Sequence, residues 1–435
     1  MNKFERIILI LFGLIVTTLS VVTMTQATPE ANSYTYLPLV VKSEPQAMTE
    51  FRGLWVSRYD WTYYNQPASP AKLDEIVQNA ALAGFNVIFF QVRGTADAYY
   101  TPGLEPWAQR VSGGTLGQAP NPLWDPLAYL IQAAHAEGIQ VHAYLNVYPV
   151  WDCGALPDPN VTPTPFYYLL KDAHGVTPDG TAEGKPNGLQ WLITGDVLCD
   201  VYRRATPASV FGDEHYIAVA KDLVTRYDID GIHLDNIRYG ASNASYDPVS
   251  TANYDTNYTY AEWQRRQVNG TVRKFYEQVV PLKQGLWLSA AVWPVYQKKP
   301  EWGWTEYYQQ GYSTYYQDSK AWIADGYIDS ISPMIYPGGI VNCPDDNDYW
   351  TQERWGILVA DYQADSNGRY IIPGIGADYC SFDEIEARIN IARQIGTAGH
   401  AIFSYRGLLA SGYFDDLANG PYATPAVVPD ITWHP

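Results

Sequence analysis

The stretch Asp230-Gly231-Ile232-His233-Leu234-Asp235-Asn236 carries the sharpest chemical signal in the chain. Apolar and polar residues alternate along it, and it closes on an acid. Hydrolysis of a glycosidic bond needs two carboxyl groups, one to protonate the leaving oxygen and one to act as nucleophile or base. Asp235 fits the second role as an ionised carboxylate facing a sugar, with Arg93 and Arg238 as cations that would hold it charged. The plainer alternative is a structural Asp that caps its own loop through backbone N–H groups. For the other carboxyl the candidates are Asp97 and Glu105 after Gln91-Val92-Arg93, Glu301 and Glu306 beside Trp302 and Trp304, and Asp378. Asp97 leads as proton donor because it follows the second apolar run most closely.

Such groups need a scaffold, and the hydrophobic period supplies one. Short apolar runs at 51–61, 85–93, 139–148, 229–238, 285–293, 327–336, 370–378 and 398–406 alternate with helix-like stretches at 71–83, 126–137, 214–227, 260–284, 314–325, 350–363 and 382–396. Gly84, Gly138 and Gly326 stand where helices stop before the next run. Alternating β and α units imply a parallel sheet. Eight of them predict an α/β fold, a closed (β/α)8 TIM barrel, as one catalytic domain over residues 50–420. An open doubly wound sheet is the rival; no Gly-rich phosphate loop follows the first run to support it.

Alternate residues of a barrel strand face the lumen. Gln91, Arg93, His142, Tyr144, Asn146, Tyr148, His233, Asp235, Trp293 and Tyr336 fall on the inward parity, and the polar ones gather toward strand C-termini. A barrel places its chemistry at that end. The candidate substrate-binding residues are Arg58, Gln91, Arg93, Asn146, Tyr148, His233, Arg238, Trp293 and Tyr336. Aromatic residues reach 14 %, with 36 Tyr and 15 Trp, and flat amphipathic rings suit neutral polar ligands such as sugars.

Other chemistries find little support. With 28 Lys+Arg against 46 Asp+Glu, the net charge of −18 argues against nucleic acid and anionic membrane surfaces. His135, His142, His174, His215, His233 and His400 show no HExxH spacing, and there is no GxSxG elbow or CxxC pair. No metal or cofactor is expected. Pro344-Asp345-Asp346-Asn347-Asp348 reads as a polar turn, lacking the Gly and distal Glu of a calcium loop.

The N-terminus has the plan of a secretory signal peptide over residues 1–27: Lys3 and Arg6, an apolar stretch at 7–22, then Thr25-Gln26-Ala27. Membrane anchoring follows only if this segment stays uncleaved; otherwise the chain is secreted or held in the cell envelope. Residues 28–49 read as a linker with a short strand at 36–41, and the Pro-rich residues 421–435 as a tail. Cys153, Cys199, Cys343 and Cys380 allow three pairings, and export favours disulfides over free thiols. Cys153–Cys199 and Cys343–Cys380 are the expected pairs.

Phe51-Arg52-Gly53-Leu54-Trp55-Val56, Gln91-Val92-Arg93, Asp97-Ala98, Glu105-Pro106-Trp107, Asp125-Pro126-Leu127, His142-Ala143-Tyr144-Leu145-Asn146, Asp230 to Asp235 and Ile331-Ser332-Pro333-Met334-Ile335-Tyr336 together resemble the glycosyl hydrolase-like 10 family of exported bacterial proteins. The resemblance runs over roughly residues 50–413. It implies a (β/α)8 barrel, an O-glycosyl hydrolase with a polysaccharide or peptidoglycan glycan strand as substrate, and Asp235, Arg93, Asp97 and Asn146 as matching site positions. Two departures stand out. The second of the family's tandem acids is Asn236 here, and Ser289-Ala290-Ala291-Val292-Trp293 differs from the usual pattern. Chitinase-like barrels share the Asp-Gly-Ile opening, but their catalytic Glu falls on Ile237. The expected function is an exported glycoside hydrolase. The alternatives are a non-catalytic glycan-binding barrel and a metal-dependent deacetylase, which lacks a His/Asp ligand cluster.

Overall fold

The computed structural model describes residues 47–337 and 350–434. The apolar runs become nine parallel strands: β1 Phe51–Val56, β2 Val87–Arg93, β3 Gln140–Asn146, β4 Gly231–Asp235, β5 Trp287–Val292, β6 Ser330–Pro333, β7 Tyr370–Ile371, β8 Gly374–Gly376 and β9 Gly399–Phe403. They form one curled sheet in the order β7-β6-β5-β4-β3-β2-β1-β9-β8. The run expected as a single strand over 370–378 is thus two short ones. Pro373 has no N–H to offer a ladder, so the pairing changes partner there. Ile372 N–H donates to Ile331 O (2.9 Å), whereas Pro373 O accepts from Ala401 N–H (3.0 Å). The two edge strands of the sheet are therefore consecutive pieces of one segment.

Helices Pro70–Ala83, Pro126–Ala136, Val210–Arg226, Tyr260–Gln278, Ser319–Ala324, Gln352–Ala364 and Phe382–Ile395 lie between the strands. Their ends follow local chemistry. Asp125 accepts from Leu127 N and Ala128 N at one start, and Thr259 with Glu262 forms a capping box at another. Gly84 closes the first helix at φ +88°, a conformation costly for other residues.

Burial separates the two faces of the sheet. Leu54, Val56, Ile88, Phe90, Val141, Ala143, Leu145, Ile232, Leu234 and Ile331 pack against the helices in one large cluster. Phe51, Trp55, Val87, Phe89, Tyr144, Trp287, Ile372 and Ala401 form a second cluster on the concave face. Strands with apolar residues on both faces are what a sheet covered on both sides demands.

Between β3 and β4 the chain leaves this alternation. Residues 149–204 form an excursion with an antiparallel ribbon, Pro149–Asp152 against Tyr202–Arg204, and a helix, Phe166–His174. The expected Cys153–Cys199 disulfide ties the ribbon together. Cys380 is disulfide-bonded as well, and its expected partner Cys343 lies outside the described residues. So do residues 1–27, the strand expected at 36–41 and the acidic turn at 344–348.

The segment 421–435 is not a loose tail over its described part. Ala426–Val427 pairs with Met48–Thr49, Trp433 lies 4.9 Å from the Tyr370 ring, and Trp433 Nε1 donates to Asp329 (2.7 Å). Asp329 is fully buried, so the docked segment supplies donors that burial requires. Among the described residues no helix is long and apolar enough to cross a membrane.

Candidate active site

Asp235 is the last residue of β4, paired in register with Asn146 at the end of β3. Its side chain is 13 % exposed. Tyr144 Oη donates to Oδ2 at 2.8 Å, and Asn236 Nδ2 donates to the same oxygen at 3.1 Å. Asn236 N–H donates to Oδ1 at 2.6 Å, and Arg238 Nη1 stands 3.4 Å from it. Four donors on one carboxylate match the charged form, which accepts and cannot donate. Burial, and next the Asp235 charge, push the Tyr144 phenol well up, so Tyr144 remains a donor. Burial, and next the same charge, also push the Tyr336 phenol up.

Asp97 lies in the turn that follows β2. It is 4 % exposed, and its Oδ1 accepts from Thr95 N–H at 2.7 Å. Burial raises its pKa, against the pull of the nearby Arg58 and the Thr95 hydrogen bond. A carboxyl held toward its neutral form is what a proton donor requires. Arg58 stands on the Asp97 side: its Nη2 donates to Tyr59 Oη (2.7 Å) and Tyr202 Oη (3.0 Å), and its charge pulls against the burial of Asp97.

Two neighbouring clefts open here. One, of about 560 Å³, is walled by Trp293, Tyr307, Tyr308, Met334, Tyr336 and Trp350. The other, of about 320 Å³, is walled by Asp200, Tyr202, Arg204, Asn236, Tyr239 and Tyr315. Arg238 and Trp293 line both, and the Arg238 guanidinium lies 5.4 Å from the Trp293 ring. Aromatic walls on one side and charged groups on the other suit a ligand with apolar faces and polar edges.

Several expected site residues stand elsewhere. Arg93 was placed on the lumen by parity, but β2 bulges between Gln91 and Arg93, so Arg93 pairs with Leu145 on the helix side. There it is 1 % exposed, bound through Nε and Nη2 to Glu105 and through Nη1 to the carbonyls of Asn146, Val147 and Pro149. It does not touch Asp235. Glu105 is consumed in the same cluster: burial raises its pKa, but Arg93 and His215 outweigh that and lower it to about 2, the opposite of a proton donor. Tyr148 lies beyond the end of β3, where alternation no longer holds, and donates to Thr271 of the helix shell at 3.0 Å. His233 does face inward, yet it stacks on Phe89 (4.1 Å) and pairs with Trp55 Nε1 (3.2 Å) and Ser289 Oγ (2.8 Å). Burial lowers its pKa to about 3, which makes it a neutral member of the concave core. Gln91 is equally enclosed and accepts from Arg58 N–H at 2.9 Å, which positions Arg58.

Asn146, Arg238 and Trp293 are thus brought to the Asp235 end of β4, Tyr336 shares a cleft wall with Arg238 and Trp293, and Arg58 stands by Asp97. Asp378 follows β8, half-buried, its carboxyl raised by burial, while Glu301 is exposed and Glu306 pairs with Arg354 at the surface. Tyr202 and Arg204, both at the site, escaped sequence reasoning because the excursion that carries them follows neither strand nor helix period. Among the described residues no three His, Cys, Asp or Glu side chains gather as a metal-binding group.

Known proteins resemble this chain in fold and in sequence. The fold is similar to that of the PgaB (BpsB) glycoside hydrolase domain of Bordetella bronchiseptica, with a TM-score of 0.58 and 14 % identity over 87 % of this chain and 100 % of that one. It is similar too to the endo-1,4-beta-mannanase of Rhizomucor miehei, with a TM-score of 0.50 and 10 % identity over 87 % of this chain and 99 % of that one. In sequence, the glycosyl hydrolase YngK of Bacillus subtilis is 25 % identical over 89 % of this chain and 75 % of its own length. The glycosyl hydrolase DigH of Escherichia coli is 25 % identical over 68 % of both chains. The family model described as glycosyl hydrolase-like 10 matches residues 50–158 and 187–353. With more than half of its length matched, this chain belongs to the glycosyl hydrolase-like 10 family.

Proposed function

We propose that the chain is an exported glycoside hydrolase that cuts O-glycosidic bonds of a polysaccharide or a peptidoglycan glycan strand. Asp235 serves as nucleophile or base, and Asp97 as proton donor. The observation that carries this reading is the Asp235 carboxylate, which receives four donors beside an aromatic cleft at the C-terminal end of β4. The glycosyl hydrolase names of the relatives support it. The proposed domain is a barrel over residues 50–420 that closes through the 370–376 segment, one half bonded to β6 and the other to β9. Residues 1–27 would be removed on export, and the disulfides fit an oxidising compartment.

The test is reducing-sugar release from β-mannan, chitin oligosaccharides, chitosan and peptidoglycan glycan strands by wild type and Asp235→Asn. Loss of a catalytic carboxylate is expected to cost at least about a hundred-fold in kcat. Equal turnover by the two proteins removes Asp235 from the mechanism. The second reading, a glycan-binding barrel without turnover, is favoured by one observation: Asn236 occupies the position after Asp235 where a second acid would stand. It expects retention of a glycan on the protein with no shortened product, and binding that survives Asp235→Asn.

A further inference from the structure

The excursion outside the central sheet reaches back into the site through Arg204. This side chain is 4 % exposed. Its Nη1 donates to Asn236 Oδ1 at 2.8 Å, while Nη2 and Nε donate to Asp200 at 3.0 and 3.3 Å. A guanidinium has donors only. The atom of Asn236 that faces it must therefore be the carbonyl oxygen. The NH2 end then points the other way, to Asp235 Oδ2 and Asn146 Oδ1, both at 3.1 Å. A reversed amide would set NH2 against the guanidinium and its oxygen against the carboxylate, two repulsive contacts in place of three hydrogen bonds. Asn236 also sits at φ +52°, in the left-handed region that Asn tolerates better than most residues. Its own N–H donates to Asp235 Oδ1.

We infer that Arg204 is a positioning residue: it fixes which end of the Asn236 amide meets Asp235, and so holds that carboxylate charged and in one orientation. The inference rests on Asp235 being the working carboxylate. Asn at position 236 thereby donates to Asp235 through an amide that has no titrating proton to lose. A carboxylate there would still pair with Arg204, but its second oxygen would face Asp235 within hydrogen-bond distance, and two such carboxylates do not both stay ionised.

The experiment compares full-length wild type, Arg204→Met, Arg204→Lys, Asn236→Asp and Asp235→Asn on whichever of the four glycans above wild type cleaves fastest. Arg204→Met is expected to lower kcat about ten-fold with KM little changed, and to move the acid limb of the pH–kcat profile to higher pH. Arg204→Lys, still a pure donor, is expected to restore most of both. Asn236→Asp is expected to move the acid limb in the same direction while melting as wild type does. If Arg204→Met fails to fold, the shift in Asn236→Asp decides. Inactive Asp235→Asn together with unshifted profiles in the folded variants overturns the role of Arg204 alone. Fully active Asp235→Asn overturns the role of Arg204 and the functional reading beneath it.

Discussion

Tyr144 Oη lies 2.8 Å from Asp235 Oδ2, reaching across from β3 to the carboxylate that ends β4. The phenol is 7 % exposed, and its proton is committed to Asp235. Tyr144→Phe removes one donor and leaves the ring packed among Phe89, Trp55 and Trp287. Turnover is expected to fall about ten- to hundred-fold, since a hydrogen bond to a charged group contributes roughly 1.5–3 kcal/mol. Initial rates at saturating glycan check this, and an unchanged kcat would detach Tyr144 from the reaction.

Arg93 and Glu105 form a buried ion pair, each 1 % exposed, which sews the turn after β2 to the carbonyls beyond β3. Glu105→Ala strands a guanidinium without its counter-charge and is expected to cost about 3–5 kcal/mol. The pH dependence has a definite sign. Glu105 titrates lower in the fold, about 2 against an ordinary 4.5. Its contribution is therefore complete above 4.5 and is lost as pH falls toward 2. Urea unfolding of wild type and Glu105→Gln between pH 5 and 3 measures it: the wild-type curve steepens there, and parallel curves would contradict the ion pair.

Three imidazoles, His142, His233 and His400, are fully enclosed, and burial lowers their pKa values to about 3, 3 and 4. Each stays neutral in the fold while the unfolded chain takes up a proton near 6.5. Their contribution is whole above 6.5 and declines as pH falls toward 4, each by at most about 1.4 kcal/mol per pH unit. Melting temperatures at pH 7.5, 6.5, 5.5 and 4.5 should fall progressively below 6.5. A flat profile over that range would mean that these rings meet water.

The Cys153–Cys199 bridge spans a sequence separation of 46 and anchors the ribbon that carries Tyr202 and Arg204. Loop-closure entropy gives such a bond about 4 kcal/mol. Cys153→Ser with Cys199→Ser is expected to lower the melting temperature and also kcat, because the excursion holds Arg58 through Tyr202 and Asn236 through Arg204. Calorimetry with parallel rate measurements tests both. Full activity in the double variant would show that the ribbon keeps its place without the bridge.

Much of the architecture was legible in the residues. The period of apolar runs located the strands and helices to within a few residues, because burial on both faces of a parallel sheet leaves a continuous apolar signature. The same alternation sorted Ile232 and Leu234 to the helix side, and His233 to the other face. The disulfide Cys153–Cys199 was legible too, whereas the split of the 370–378 run at Pro373 was not, since a partner change leaves no mark on hydrophobicity.

What the chain order by itself determined was the set of strand ends and the acid that finishes β4, for these follow from periodicity and residue type. Which neighbours that acid meets was decided only in three dimensions. One bulge turned Arg93 from the lumen to a buried clamp on Glu105, and the end of β3 released Tyr148 into the helix shell. An excursion of no regular period returned Tyr202 and Arg204 to the site. Local alternation holds only while the ladder stays regular, and contacts between distant segments are set by packing that a linear pattern does not encode.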